Sequence, residues 1–119
     1  MTLERAREIR QKMHEKFLMM AKEYAATIRK TLGRATVILY GSIVRGDFNR
    51  ASDVDILVVS DNLPKDFLKR FGFLLEKAAV GIEPKGYTTK EFLLIKNKRN
   101  FIEMLKNRIV LVYDFRLFA

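Results

Sequence analysis

Apolar residues recur at three- and four-residue steps through Leu3, Ala6, Ile9, Met13, Phe17, Met20, Tyr24, Ile28 and Leu32. That spacing predicts one long amphipathic helix over residues 3 to 32, stopped by Gly33. Its other face carries Glu4, Arg5, Glu8, Lys12, Glu15, Lys16, Lys22, Glu23, Arg29 and Lys30, and reads as a solvated surface of interspersed charge pairs. The period then shortens. Thr36 to Tyr40, Ile56 to Val59 and Ile109 to Tyr113 are β-branched, aliphatic runs of strand length.

Between the second and third of these runs, Asp61-Asn62-Leu63-Pro64 reads as a turn, with Pro64 starting a helix over 65 to 78 carried by Phe67, Phe71, Leu74, Leu75 and Ala78. Such a helix crosses back over a sheet. Ala79 to Thr88 is a further strand candidate, and Pro84 places it at an edge, a bulge or a strand end. Thr88 or Thr89 caps a helix begun by Phe92, Leu93 and Ile95. Lys96 to Asn100 interrupts its apolar period as a turn, and Phe101, Ile102, Met104 and Leu105 resume it. The elements predict an α/β fold, a small mixed β-sheet of about four strands with flanking helices, with residues 1 to 119 forming one domain and 35 to 113 its core.

One stretch concentrates the chemistry. The strand ending at Tyr40 runs into Gly41-Ser42, where glycine permits a sharp turn and serine is placed to cap a following helix. Free backbone N–H groups at such a helix start can hold phosphate. After ten intervening residues, Asp53-Val54-Asp55 opens the second apolar strand. Residues two apart on a strand share a face, so Asp53 and Asp55 lie side by side while Val54 faces the other way. Two carboxylates held together on a mostly buried strand repel and lose hydration. A hard divalent cation compensates them, and Mg²⁺ is commonly bound by one or two carboxylates together with phosphate oxygens.

The pattern of a strand, Gly41-Ser42, Arg45-Gly46 in a short helix, Ser52, Asp53-Val54-Asp55 and an aliphatic strand resembles the signature of the polymerase-beta-type nucleotidyltransferase superfamily, in its minimal branch. The match is sharp over residues 36 to 60 and compatible elsewhere. The resemblance implies that Asp53 and Asp55 bind Mg²⁺, two ions in the usual scheme, and that Gly41 and Ser42 hold the β- and γ-phosphates of ATP or another nucleoside triphosphate. It implies a third acidic residue on a neighbouring strand. Glu83 is the candidate, although a glutamate followed by Pro84 departs from the family's usual aspartate between apolar residues, and an ordinary surface glutamate is the competing reading. Arg45 either neutralises leaving pyrophosphate or simply pairs with Asp47. Ser52 reads as a loop cap.

Composition narrows the setting. The chain has 119 residues and no cysteine, which excludes disulfides, thiolate nucleophiles and cysteine-based zinc sites. His14 is the one histidine, so His-based zinc motifs are excluded too. Met13, Met19 and Met20 read as packing residues. No apolar run approaches the roughly 20 residues of a membrane span, and no signal-peptide core is present, so a cytoplasmic protein is expected. The net charge of +9 points to anionic company.

Three functions follow as expectations. The first is a Mg²⁺-dependent transfer of a nucleoside monophosphate to a hydroxyl of a protein or small molecule. There the resemblance implies a helical HEPN-type partner, with this chain as the antitoxin of a HEPN/MNT toxin–antitoxin pair, or a homodimer. The second is a catalytically weak or inactive module that binds and neutralises such a partner. The third, ranked last, is nucleic-acid binding through the positive charge. The tail Phe115-Arg116-Leu117-Phe118-Ala119 is apolar enough either to pack on the domain or to meet a second subunit.

Overall fold

A computed structural model of the chain describes residues 1 to 118. Helix α1 spans Leu3–Leu32, β1 Thr36–Tyr40, α2 Ser42–Arg45, β2 Val54–Val59, α3 Phe67–Glu76, β3 Ile82–Tyr87, α4 Thr89–Ile95, α5 Arg99–Met104 and β4 Arg108–Tyr113. The strands form a mixed four-stranded sheet in the order β3-β2-β1-β4. β1 runs antiparallel to β2 and β4, whereas β2 and β3 are parallel and joined through α3. The expected α/β architecture with a small mixed sheet and flanking helices is therefore the one observed.

The alternation of side chains sorts the strands into two apolar layers. Val37, Leu39, Val54, Ile56, Val58 and Ile82 pack under α1 and α3 with Phe17, Tyr24, Ile28 and Leu74. Ile38, Tyr40, Leu57 and Val59 face the other way, onto Phe92 of α4, Leu105 and Leu117. Both central strands are covered on both faces, which is why they read as continuous apolar runs.

α1 starts at the Thr2 cap, whose hydroxyl accepts the Arg5 N–H, and ends where the Gly33 N–H reaches the Arg29 carbonyl. Its apolar stripe is longer than the sheet it covers. Burial begins at Phe17, and Leu3 stays exposed because the first half of the helix projects past the core. Met19, expected as packing, is also exposed, while Met13 and Met20 pack against the core.

Several boundaries shift for local reasons. α3 starts at Phe67 and not near Pro64, because the Asp66 carboxylate accepts the Lys69 N–H and caps the helix there. It stops at Glu76, and residues 78 to 81 turn into β3, with the Ile82 N–H on the Ala79 carbonyl. β3 is an edge strand, one of the three placements that Pro84 left open. Gly81 and Tyr87 direct their carbonyls to Val54 and Ser60 of β2 and its end, so the alternation turns the nitrogen of Pro84 to the open edge, where no ladder bond is lost.

Thr88 and Glu91 form a capping box at α4. The interrupting turn is shorter than expected, since Arg99 and Asn100 already belong to α5, and β4 begins one residue early at Arg108. Arg70, buried on α3, ties these parts together. It donates to the Pro64 and Gly86 carbonyls and, at 2.7 Å, to the Glu91 carboxylate.

The C-terminal segment packs on its own domain. Leu117 is buried, and Phe118 stands edge-on to Phe92 with the Arg108 guanidinium 3.8 Å from its ring centre. Ala119, the last residue of that apolar tail, lies outside the described residues. None of the described helices is long and apolar enough to cross a membrane.

Candidate active site

At the end of β1 the backbone turns sharply through Gly41, whose φ of +83° lies in the left-handed region. Gly41, not Ser42, is the N-cap of α2. Ser42 is already the first helical residue and its hydroxyl caps nothing, a correction to the expectation from sequence. The Gly41 carbonyl accepts the N–H groups of Val44 and Arg45, and the Gly46 N–H returns to the Ser42 carbonyl. The N–H groups of Ser42 and Ile43 lie too early in the turn for an intrahelical acceptor, the feature by which a helix start can meet an anion.

The two aspartates come to this turn along β2. Asp55 lies opposite Tyr40 in the antiparallel ladder and opposite Glu83 in the parallel one. Asp53 precedes the strand by one residue and is exposed. All the residues singled out from sequence, Gly41, Ser42, Arg45, Asp53, Asp55 and Glu83, line one open cleft of about 500 Å³. Tyr40, Ala51, Ser52, Lys85 and Met104 complete its lining.

Lys85 and Met104 are additions that the sequence reading missed. Lys85 sits two positions after Glu83 on β3, and the strand period alone could have placed it on the same face. Met104 arrives from α5, and no local signal announces that. Ser52 acts as the loop cap expected of it, its hydroxyl accepting the Asn49 N–H at 2.8 Å. Arg45 pairs with Asp47 at 3.3 Å, both side chains being well exposed, so the guanidinium stands at the rim of the cleft with its other N–H groups available.

Electrostatically the cleft is short of positive charge at its floor. Burial, then the neighbouring Glu83 and Asp53 carboxylates, push the Asp55 carboxyl up to about 6, against the pull of Lys85 and Arg45. Burial, followed by the charges of Asp55 and Glu83, also holds the Tyr40 hydroxyl well above its ordinary range. A carboxylate kept ionised only with difficulty, between two others, is a place where a hard cation relieves repulsion, and the donors are all oxygens suited to Mg²⁺.

Among the described residues no three His, Cys, Asp or Glu side chains gather into a set that could hold an ion unaided. An ion here would complete its shell with phosphate oxygens and water, as Mg²⁺ ordinarily does. The residues fit the cation on those terms.

The loop from Gly46 to Ser52, which delivers Asp53, is held from outside the cleft. Arg10 of α1 donates to the carbonyls of Phe48 and Gly46, and its guanidinium lies 4.2 Å from the Phe48 ring centre. His14 stacks on the same ring at 5.3 Å and Phe17 meets it edge-on at 5.8 Å. The one histidine is thus a packing residue against Phe48. Arg10 was not singled out from sequence, because its partners lie 36 and 38 positions away.

Comparison with known proteins bears on the family and the fold. The family model of the nucleotidyltransferase domain matches residues 18–113. A crystal structure from Sulfolobus solfataricus, described as a "putative nucleotidyltransferase", superposes with a TM-score of 0.63 over 85% of this chain and 84% of that one, at 17% sequence identity, a likeness of fold. No curated protein matches the sequence. With the match running from the middle of α1 to the end of β4, and so through the whole sheet and cleft, the chain belongs to the nucleotidyltransferase domain family.

Proposed function

We propose that the chain transfers a nucleoside monophosphate from a nucleoside triphosphate, ATP in the first instance, to a hydroxyl group of a protein or small molecule, with Mg²⁺ as cofactor. The observation that carries this reading is the position of Asp55, hard against the Gly41 turn on one side and in register with Glu83 on the other, inside a cleft edged by Arg45 and Lys85. Anion-binding backbone, carboxylates and cations are the parts that phosphoryl chemistry needs, since its transition state asks for positioning and charge stabilisation.

In the proposed step the acceptor oxygen attacks the α-phosphorus. A new O–P bond forms, the bond from the α-phosphorus to the bridging oxygen breaks, and pyrophosphate leaves. The acceptor proton passes to the Glu83 carboxylate, exposed at the mouth of the cleft. The N–H groups of Ser42 and Ile43, with Arg45 and Lys85, hold the departing pyrophosphate. Asp53 and Asp55, with Glu83 beside them, would hold Mg²⁺, which when bound supplies Lewis-acid polarisation of the phosphate and leaving oxygens.

The acceptor we favour is a protein hydroxyl, carried by a helical HEPN-type partner, with this chain as the antitoxin of such a pair. The cleft is open enough for the surface of another protein to reach its mouth. Incubating the protein with ATP labelled on the α-phosphate, Mg²⁺ and the product of the neighbouring gene tests the reading. Label should move to the partner, and Asp55→Asn should stop it. A partner that binds tightly yet takes no label under any divalent metal would leave a binding module in place of an enzyme.

A further inference from the structure

We infer that the outer face of α3 is the docking surface for an acidic amphipathic helix of the acceptor protein. Phe67, Leu68, Phe71 and Leu75 form a stripe along this helix and are all exposed, Leu68 by 82% and Phe67 by 72%. Four large apolar side chains on a ten-residue helix are far more than scattered surface residues account for.

Gly72 is the second observation. It lies in the middle of α3, on the same side as Leu68 and Leu75, and a Cβ built on it meets nothing within 4 Å. An exposed mid-helix glycine costs about 1 kcal/mol relative to alanine. No contact inside the chain requires it. It leaves the helix surface open to close approach of another backbone, a purpose that small residues serve at helix crossings.

Two further features choose the occupant. The stripe borders a groove of about 360 Å³ between α3 and β3, lined by Phe67, Phe71, Leu75 and Pro84, and Glu83 and Lys85 of β3 border both this groove and the candidate active site. A chain seated on α3 therefore lies beside the edge strand that carries Glu83 and Lys85. The free edge of β3 is closed to an added strand, because Pro84 has no N–H to offer and the Gly86 carbonyl is taken by Arg70. A helix in the groove remains. Two copies of a chain carrying +9 repel, whereas a helix flanked by carboxylates is attracted, with Lys69, on α3 one turn before Gly72, to meet it.

The inference rests on the nucleotidyl-transfer reading for the identity of the partner as acceptor, and its test is a binding measurement that needs no catalysis. An 18-residue helical peptide display library is selected on the wild-type chain and counter-selected on Phe71→Glu. Enriched peptides should carry an apolar stripe flanked by Asp and Glu, and should lose about 30-fold or more in affinity for Phe71→Glu, the usual weight of a central aromatic anchor.

Gly72→Leu separates docking from folding. It should raise the melting temperature of the free chain, because its helix improves, and at the same time weaken peptide binding at least tenfold. Enrichment of basic or uncharged helices, peptides that bind Phe71→Glu equally well, unchanged affinity for Gly72→Leu, or self-association of the free chain through α3 would each overturn the inference. Failure of label transfer with peptide binding intact would instead count against the enzymatic reading alone.

Discussion

Gly41 and Asp55 occupy space that only a glycine leaves open: a Cβ added to Gly41 would overlap Oδ2 of Asp55 and stand 3.1 Å from its Cγ. The same residue holds φ at +83°, which other residues adopt at a cost of roughly 1–3 kcal/mol. Gly41→Ala should therefore lose that much stability in urea titration. It should also lose activity out of proportion, at least about 100-fold, because a carboxylate displaced by about 1 Å costs that much in a positioned reaction. Activity within a few-fold of wild type would show that the Asp55 position is not the one the reaction uses.

Asp55 stands under the opposite tension, since burial and the carboxylates of Glu83 and Asp53 make its charge unwelcome. Its folded-state value of about 6 lies above the ordinary 3.8, so the native chain binds this proton more tightly than the unfolded one. Stability from this group is complete below pH 3.8 and declines as pH rises to about 6. Asp55→Asn should consequently raise the stability of the metal-free protein at pH 8, by ~1 kcal/mol after discounting for partial exposure, while abolishing transfer. Millimolar Mg²⁺ with nucleotide should raise the melting temperature of the wild type and leave the variant unmoved. Equal melting temperatures without metal would contradict the electrostatic reading.

Where sequence signals were local, they were legible. The apolar period set the bounds of α1 at Leu3 and Leu32, and β-branching located β1, β2 and β4 to within two residues. The Gly-Ser and Asp-Val-Asp pair brought Gly41, Ser42, Asp53 and Asp55 to one cleft, and Pro84 narrowed β3 to an edge, a bulge or a strand end, of which the edge is the one observed. What stayed hidden depends on contacts across the chain. Asp66 outcompetes Pro64 for the start of α3 because its carboxylate finds the Lys69 N–H. Arg70 looks like a surface residue until Glu91 and two carbonyls surround it. Met104 and Arg10 reach the site region only after α5 and α1 have docked.

Arg10 lies before residue 18, where the family match begins, yet it holds the loop that carries Asp53. Arg10→Ala removes two hydrogen bonds and a cation–π contact, together roughly 1–2 kcal/mol. Faster hydrogen exchange of the amides from residue 46 to 52 and a several-fold fall in kcat are expected. Lysine cannot reproduce a planar fork that both stacks and donates twice, so Arg10→Lys should restore little of either. Unchanged exchange in this loop would mean that α1 does not support the site.

Asp114 contributes to the acid limb of stability. The Ala35 N–H, followed by Arg29 at 2.6 Å, holds its carboxyl below the usual carboxylate range. A lowered value means the folded chain gains from the charged form above pH 3.8, and that gain is lost as pH falls through the folded-state value. Asp114→Asn should cost about 1 kcal/mol at pH 7, the size of a charge-assisted bond at a half-exposed site. The difference from wild type should shrink as pH falls below 3.8. A gap that persists in acid would assign the loss to packing and not to charge.

Glu83 and Lys85 point into one cleft from alternate positions of β3, and the reaction proposed gives them separable duties. If Glu83 receives the acceptor proton, Glu83→Gln keeps the shape and the hydrogen-bonding capacity but loses the basic oxygen. kcat should then fall roughly 100-fold, as for the loss of a general base, with the affinity for nucleotide held. Lys85 offers a positive charge to the phosphates before and during the reaction, so Lys85→Ala should weaken nucleotide binding and lower kcat less. Titrating each variant with ATP and Mg²⁺ by calorimetry, beside single-turnover transfer, separates the two effects. Were Glu83→Gln to lose metal affinity together with rate, the glutamate would be a ligand that assembles the site. Were it to lose neither, β3 would contribute only Lys85, and the proton would have to leave through Asp55, whose raised proton affinity suits it to that task.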